Sequence, residues 1–394
     1  MTSHAVEPGP SVRVTVARTE EEIERLRATW ESFQGDVVMT DPRHYQAVLR
    51  HNPRAYAPHV VLVERDGEPR ALALGMLQNL ELACKVGYKT VYRPRAQALT
   101  VVYRGFLGPD AESEAPVLVD ALLAALSTGE ADVVYLPNLA MDSPFYRAVT
   151  NGQSGRSRLL TPKTHWQLAL PDSLDEFIAT KPTRSRGRIR RYPKRFLETF
   201  DGRYRLEVYR DPGALERLVS DVERVAERTY QRGLGIQFAD DPLLLNLTRI
   251  AMERGWFRAY VLHVDDEPCA FWMGFGYHGV FRTGLTGYDP AYGEYHVGTF
   301  VLMRLLDDLA HEDGFHTVDY GFGDAEYKRT FGTDSWLEAD VFVFARTARG
   351  IWLNLARTSI AGLDRASRSV AGSFGKRAKK LWRRRLQEGG LDGE

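Results

Sequence analysis

Polar and apolar positions alternate with period two over Val12–Ala17, "VRVTVA", and again over Tyr204–Arg210, "YRLEVYR". This is the pattern of a strand with one buried face. After each strand the period lengthens to that of an amphipathic helix. In the first instance Thr19, with Glu22 three residues on, predicts a capping box opening "EEEIERLRATWESF". In the second, Asp211-Pro212 opens "GALERLVSDVERVAERTY", and Asp41-Pro42 and Asp241-Pro242 each start a further helix. Two apolar runs then flank a polar turn, the signature of a hairpin. In the first half they are "HVVLVE", the turn Arg65-Asp66-Gly67-Glu68, and "PRALALGML". In the second they are "FRAYVLHV", the turn Asp265-Asp266-Glu267, and "PCAFWMGFGY". Each half continues with a strand, a helix and a strand. "LTVVYRG", "APVLVDALLAAL" and "DVVYLP" answer to "VFRTGLTGYD", "VGTFVLMRLLDDLAHEDG" and "HTVDYG".

An order of elements repeated over so long a span is no solenoid. It describes an α/β fold of two tandem domains, each a mixed central sheet with helices on both faces. The length of 394 residues suits two domains. The expected boundaries are a loose tail at 1–10, an N-terminal domain at 11–160, a C-terminal domain at 161–346, and a basic amphipathic helix and tail at 347–394.

Apolar content of 44% and charged content of 26% are those of a globular protein, and 52 basic residues balance 52 acidic ones. Net charge therefore does not make the chain a polyanion binder, but its distribution is uneven. From Lys181 to Arg195 there are eight basic residues and no acidic one. Such a run is either a solvated helix face or a clamp for phosphates and carboxylates, which arginine forks grip in bidentate fashion. A second basic stretch holds ten basic residues between Arg357 and Arg385 against Asp364 alone. Leu355, Ile360, Leu363, Val370, Phe374, Leu381 and Leu386 fall near helical spacing within or beside it. That helix either packs on the second domain or lies on an anionic membrane or a nucleic acid such as tRNA. Two cysteines, Cys84 and Cys269, make neither a disulfide framework nor a zinc site and read as buried thiols. The N-terminus lacks the pattern of a signal peptide, and no window reaches the roughly 18 apolar residues of a membrane span. The expected location is cytoplasmic, with peripheral attachment at the inner membrane face as an option.

"GFGYHG" at 274–279 spells a dinucleotide fingerprint, but a strand follows it where a helix is required, so it reads as a hairpin turn. No paired histidines of a metal site and no G-x-S-x-G elbow occur, so chemistry is expected to run without metal or covalent serine. Two stretches remain. In "GYDPAYGEYHVGTFVLMRLL" a strand ends near Tyr288 and a helix starts at His296, Val297, Gly298 and Thr299, either an ordinary strand–loop–helix connection or an anion site at the helix start. In "TVDYGFGDAEYKRTFGT" Asp319 ends a strand, where ligands of open α/β sheets bind, and Gly321 and Gly323 allow close backbone approach. Asp324 is placed to cap the helix "AEYKRTF", and Tyr327 and Lys328 complete a candidate catalytic group.

On these residues, the chain from about 160 to 345 resembles the CelD/BcsL-like branch of the GNAT acyltransferase superfamily, related to the FemAB-type aminoacyltransferases. The resemblance rests on three features. They are the arginine-rich "TRSRGRIRRYPKRF", the block "GYDPAYGEYHVGTFVLMRLLDDLAHEDGF", and "VDYGFGDAEYKRTFGT", which matches D-[FY]-G-x-G-x-x-x-Y-K-x-x-F-G in full. It implies two tandem GNAT-like domains and an N-acyltransferase. An amine of a sugar, peptide or lipid-linked acceptor would attack an acyl-CoA or other acyl thioester, with aminoacyl-tRNA as the alternative donor. No cofactor would be held permanently. A non-catalytic scaffold on the same fold is the competing class of function. The stretch expected to hold a pyrophosphate, Q/R-x-x-G-x-G/A, reads "EYHVGT" here and is headed by Glu294, which is unfavourable beside phosphate. Arg188, Arg190 and Arg191 would compensate, alongside His296 to Thr299, and Tyr288, Gly321 and Gly323 would contact substrate. In this reading a base, Asp319 or Asp324, or a bridging water takes the acceptor's proton, Lys328 stabilises the oxyanion or orients the donor phosphate, and Tyr327 protonates the leaving group or packs beneath the lysine.

Overall fold

The computed structural model describes residues 11–86, 89–151, 155–159, 162–229, 238–239, 241–312 and 314–358. The first half runs β1 (Val12–Ala17), α1 (Glu20–Ser32), α2 (Pro42–His51), β2 (Ala55–Arg65), β3 (Glu68–Glu81), β4 (Cys84–Val86), β5 (Lys89–Tyr92), β6 (Arg95–Leu107), α3 (Ala115–Ser127), β7 (Val133–Ala140), α4 (Pro144–Thr150) and β8 (Ser157–Leu159). There follow β9 (Lys163–Ala169), α5 (Leu174–Thr180), α6 (Thr183–Phe200), β10 (Tyr204–Tyr209), α7 (Leu215–Glu227) and α8 (Pro242–Glu253). The chain continues with β11 (Phe257–Val264), β12 (Glu267–Tyr277), β13 (Val280–Tyr288), α9 (Val297–Ala310), β14 (Thr317–Phe322), α10 (Glu326–Phe331) and β15 (Asp334–Phe344).

Local chemistry explains several helix starts. The Thr19–Glu22 capping box forms, and Asp41 and Asp241 accept N–H bonds at the starts of α2 and α8. Asp211 instead caps a short 3-10 turn, Pro212–Ala214, ahead of α7. The two hairpin turns place Asp66 and Gly67, and Asp265 and Asp266, at positive φ, as tight right-twisted hairpins require. "GFGYHG" is a hairpin too: His278 and Gly279 turn at φ 42° and 83° between β12 and β13. A Cβ on Gly274 would lie 2.3 Å from the Arg282 carbonyl, so glycine there serves strand packing and not phosphate approach.

The described residues form two compact units, one of 11–35, 39–163 and 337–358, the other of 36–38 and 164–336. The first unit's sheet runs β1-β2-β3-β6-β7-β15, with β8 also paired to β15. It is antiparallel except for the parallel pair β6–β7. The second unit's sheet runs β10-β11-β12-β13-β14-β9, antiparallel except for the parallel pair β13–β14. The repeated order read from the sequence thus corresponds to the same six-strand layout twice. One placement differs from expectation. Residues 337–344 of β15 complete the first unit's sheet and bury Val341 and Val343 in its core, although the sequence pattern put them with the second domain. A strand contributed from a distant part of the chain carries no local signal of its partner. From 348 to 358 the chain is helical, with Leu353 buried and Ile351, Trp352 and Leu355 exposed. The rest of the expected basic helix, and the tail at 1–10, lie outside the described residues.

In the second unit the core sits between the sheet and α5, α6 and α9. The arginine-rich α6 earns its place through its other face: Ile189, Phe196 and Phe200 are buried, and Phe196 meets Phe300 of α9 with ring centroids 4.5 Å apart. Its basic residues point elsewhere, which makes the run an amphipathic helix by ordinary patterning.

Candidate active site

β13 and β14 pair only from Val280–Thr317 to Arg282–Asp319, and β13 then runs on to Tyr288 against β12. At that end of β13, Asp289 accepts the Ala291 N–H and opens a 3-10 turn, Pro290–Tyr295. His296 follows in the left-handed region at φ 54°, and α9 begins at Val297 with no side chain capping it. The first-turn N–H groups therefore present the positive end of a 14-residue helix without an acceptor from a side chain.

A cleft of about 280 Å³ lies against this helix start. Thr286, Gly287 and Tyr288 of β13 and Trp272 of β12 line it on the sheet side, His296 to Thr299 and Leu302 on the helix side, and Tyr327 from α10. Trp272 donates its Nε1–H to the Gly298 carbonyl at 2.8 Å, tying sheet to helix. Tyr327 stands edge-on to Trp272 at 5.2 Å and to Tyr320 at 5.9 Å. Burial pushes the Tyr327 hydroxyl up to about 12, so it stays protonated as a hydrogen-bond donor across the physiological range. No carboxylate, lysine or arginine lines the cleft among the described residues.

Of the predicted acid–base and cationic residues, Tyr327 lines the cleft, and Asp319, Asp324 and Lys328 do not. Asp319 is buried beside the cross-strand Arg282, with one carboxylate oxygen 2.6 Å from His165 Nε2 and 2.7 Å from the Gly321 N–H, and the other 2.6 Å from Arg282. Burial works to raise its pKa, but the His165 hydrogen bond, Arg282 and the Gly321 N–H together outweigh that and hold it below the ordinary carboxylate range. With its oxygens so engaged, and outside the cleft lining, Asp319 braces β14 from mid-strand, since the strand runs on to Phe322 and does not end at Asp319 as expected. Lys328 is also buried, donating to the carbonyls of Gly321 at 3.1 Å and Phe322 at 2.8 Å. Burial pulls its ammonium down to about 8. It fastens the turn that Gly321 and Gly323 make at φ 67° and 92°, and neither glycine lines the cleft. Asp324 does not cap α10: Ala325 holds the N-cap position without a side-chain bond, and Asp324 pairs with Arg329 at the surface. Exposed pairs contribute little, so Asp324→Ala is expected to move a urea midpoint by no more than about 0.5 kcal/mol in stability, with turnover unchanged.

The α6 arginines do not reach the cleft either. Arg188 contacts Glu326 and Thr330, at 3.3 and 3.4 Å, across a shallow surface groove that also holds Lys181, Ser185 and Arg329. Arg190 and Arg191 are exposed. Arg195 instead pairs with Glu294 and lies over the Tyr295 ring at 5.3 Å, which answers the unfavourable charge heading "EYHVGT". Sequence reasoning thus brought Tyr288, His296, Val297, Gly298, Thr299 and Tyr327 to one cleft and missed Trp272, Thr286, His165 and Arg282. His165 and Arg282 were within reach of a register argument: β9 and β13 flank β14, and Arg282 is the register partner of Asp319. A separate group, Glu207, Asp221 and His263, gathers metal-ligating atoms within 4.8 Å. There Tyr209 donates to Asp221 at 2.6 Å and Arg217 pairs with Glu207, so the group is internally satisfied in part.

Residues 183–329 match the family model of the acetyltransferase (GNAT) domain. No curated protein matches the chain. Among solved structures, FemX is similar over 84% of this chain and 98% of its own, at 12% identity and a TM-score of 0.54. A conserved protein of unknown function from Bacteroides thetaiotaomicron covers 84% of this chain and 100% of its own, at 11% identity and a TM-score of 0.51. The C-terminal domain of a candidate lysylphosphatidylglycerol synthetase from Agrobacterium fabrum covers 85% and 94%, at 12% identity and a TM-score of 0.51. At such identities these likenesses establish the fold, which spans both units. The family match marks the second unit as carrying an acetyltransferase (GNAT) domain, which makes the chain an acyltransferase, and the fold is that of two GNAT-like domains. Among the described residues no helix is long and apolar enough to cross a membrane.

Proposed function

We propose that the chain transfers an acyl group from an acyl thioester, acyl-CoA in the first instance, to a primary amine of a sugar, peptide or lipid-linked acceptor, in the cleft at the start of α9. The observation that carries this reading is the uncapped helix start opening on an aromatic-walled cleft. Backbone N–H groups suit the donor's phosphates, and Trp272, Tyr288 and Leu302 suit its apolar arm. In this account Tyr327 donates a hydrogen bond to the departing sulfur, while Lys328 and Asp319 keep the 321–325 turn and hence Tyr327 in place. The full D-[FY]-G signature supports placement in the CelD/BcsL-like branch.

A second reading, an aminoacyl-tRNA donor, draws on the basic groove of Lys181, Arg188 and Arg329. The two separate in one comparison. A thioester donor is expected to raise the melting temperature with coenzyme A, by a stabilisation of about 2.7 kcal/mol at a hundredfold excess over Kd. A tRNA donor would leave coenzyme A without effect and give tRNA co-purification that falls steeply with salt.

A further inference from the structure

Amine acyl transfer meets a difficulty that this cleft must solve. The acceptor arrives as an ammonium ion with no lone pair, and a base has to take one proton before nitrogen can attack. Asp319 is already committed to His165, Arg282 and the Gly321 N–H, and Asp324 is committed to Arg329 at the surface. The titratable side chains among the described cleft residues are Tyr288, His296 and Tyr327. Tyr327 keeps its proton, and a phenol is otherwise a base only at high pH. Imidazole is the side chain suited to exchanging protons near neutrality.

His296 is also held in an unusual way. It is the N-cap residue of α9, yet it makes no side-chain cap bond, where serine, threonine, aspartate or asparagine would commonly serve. Its backbone sits at φ 54°, a conformation that costs a non-glycine residue free energy and recurs at functional sites. Its ring rests edge-on against Tyr192 of α6 at 4.8 Å, which limits its orientations. The nearby charges, Glu294 and Arg195, pair with each other, and Tyr295 lies under Arg195.

We propose that His296 is the general base of the reaction, accepting a proton from the acceptor ammonium at the mouth of the cleft. This rests on the acyl-transfer reading above. The ammonium gives one proton to the imidazole, and the neutral nitrogen attacks the thioester carbonyl to form the C–N bond. The C–S bond breaks, the second nitrogen-bound proton passes to the departing thiolate, and His296 returns its proton to solvent. The sum is amide, free thiol and one proton.

The test follows free-thiol release from acetyl-CoA with glucosamine, ethanolamine or a lysine-bearing peptide, against hydroxylamine, an amine already neutral at neutral pH. With the ammonium acceptors, His296→Gln is expected to lower kcat/KM by about 10²–10⁴-fold. Added imidazole should restore part of the rate. With hydroxylamine the same variant should lose much less, a contrast that a purely structural role of His296 would not produce. Equal losses with both kinds of amine would overturn the assignment. Wild-type protein that releases no thiol with any of these amines would overturn the thioester reading itself, and this inference with it.

Discussion

Asp319→Ala is expected to cost about 3–5 kcal/mol of stability, because it removes a buried carboxylate that pairs with the part-buried Arg282 and accepts from His165 and the Gly321 N–H. Asp319→Asn keeps an acceptor oxygen and should lose less. Urea melts of the three proteins make the comparison, read as midpoints at constant slope. The pH dependence has a definite sign. A carboxyl whose folded pKa is depressed adds stability that is present above its unfolded value, about 3.9, and disappears as pH falls through the folded value. The gap between wild type and Asp319→Ala should therefore be full at neutral pH and shrink in acid. Activity will fall as well, since the 321–325 turn and Tyr327 depend on this brace. A catalytic base would behave differently: its alanine variant would melt like wild type and be inactive.

This contrast also marks how far the sequence could be read. The two-fold repeat, the hairpins and the capped helices were legible because each depends on local chemistry: Thr19 with Glu22, Asp41-Pro42, Asp241-Pro242, Asp66-Gly67. The region of the cleft was legible too, since Tyr288, His296 to Thr299 and Tyr327 lie on the two stretches singled out by composition. Roles within it were not. A buried aspartate within a strand and an aspartate in a catalytic cleft read alike until the neighbouring strands are in register, and here β9 and β13 supply the partners that occupy Asp319. The partners of Lys328 were not legible for the same reason, because the carbonyls it fastens are set by the turn at Gly321 and Gly323. The α6 arginines look like a clamp in sequence, but the burial of Ile189, Phe196 and Phe200 turns them away from the cleft. The pairing of β15 with β7 was not legible, because strand pairing across some two hundred residues leaves no trace in a local pattern.

Filling the cleft is expected to have a large effect on turnover. Thr299 lies in the first turn of α9, half-buried, and lines the cleft without touching the Asp319 brace. Thr299→Trp would occupy space that the donor needs and displace the reacting carbonyl, and misplacement by about 1 Å can already cost 10²-fold. The most direct measurement is free-thiol release from acetyl-CoA with a primary amine, for wild type and Thr299→Trp, alongside a urea melt of each. The account predicts amine-dependent thiol release by wild type, a loss of about 100-fold or more in kcat/KM for the variant, and an unchanged midpoint. Wild-type rates in a stably folded Thr299→Trp would contradict the placement of acyl transfer in this cleft.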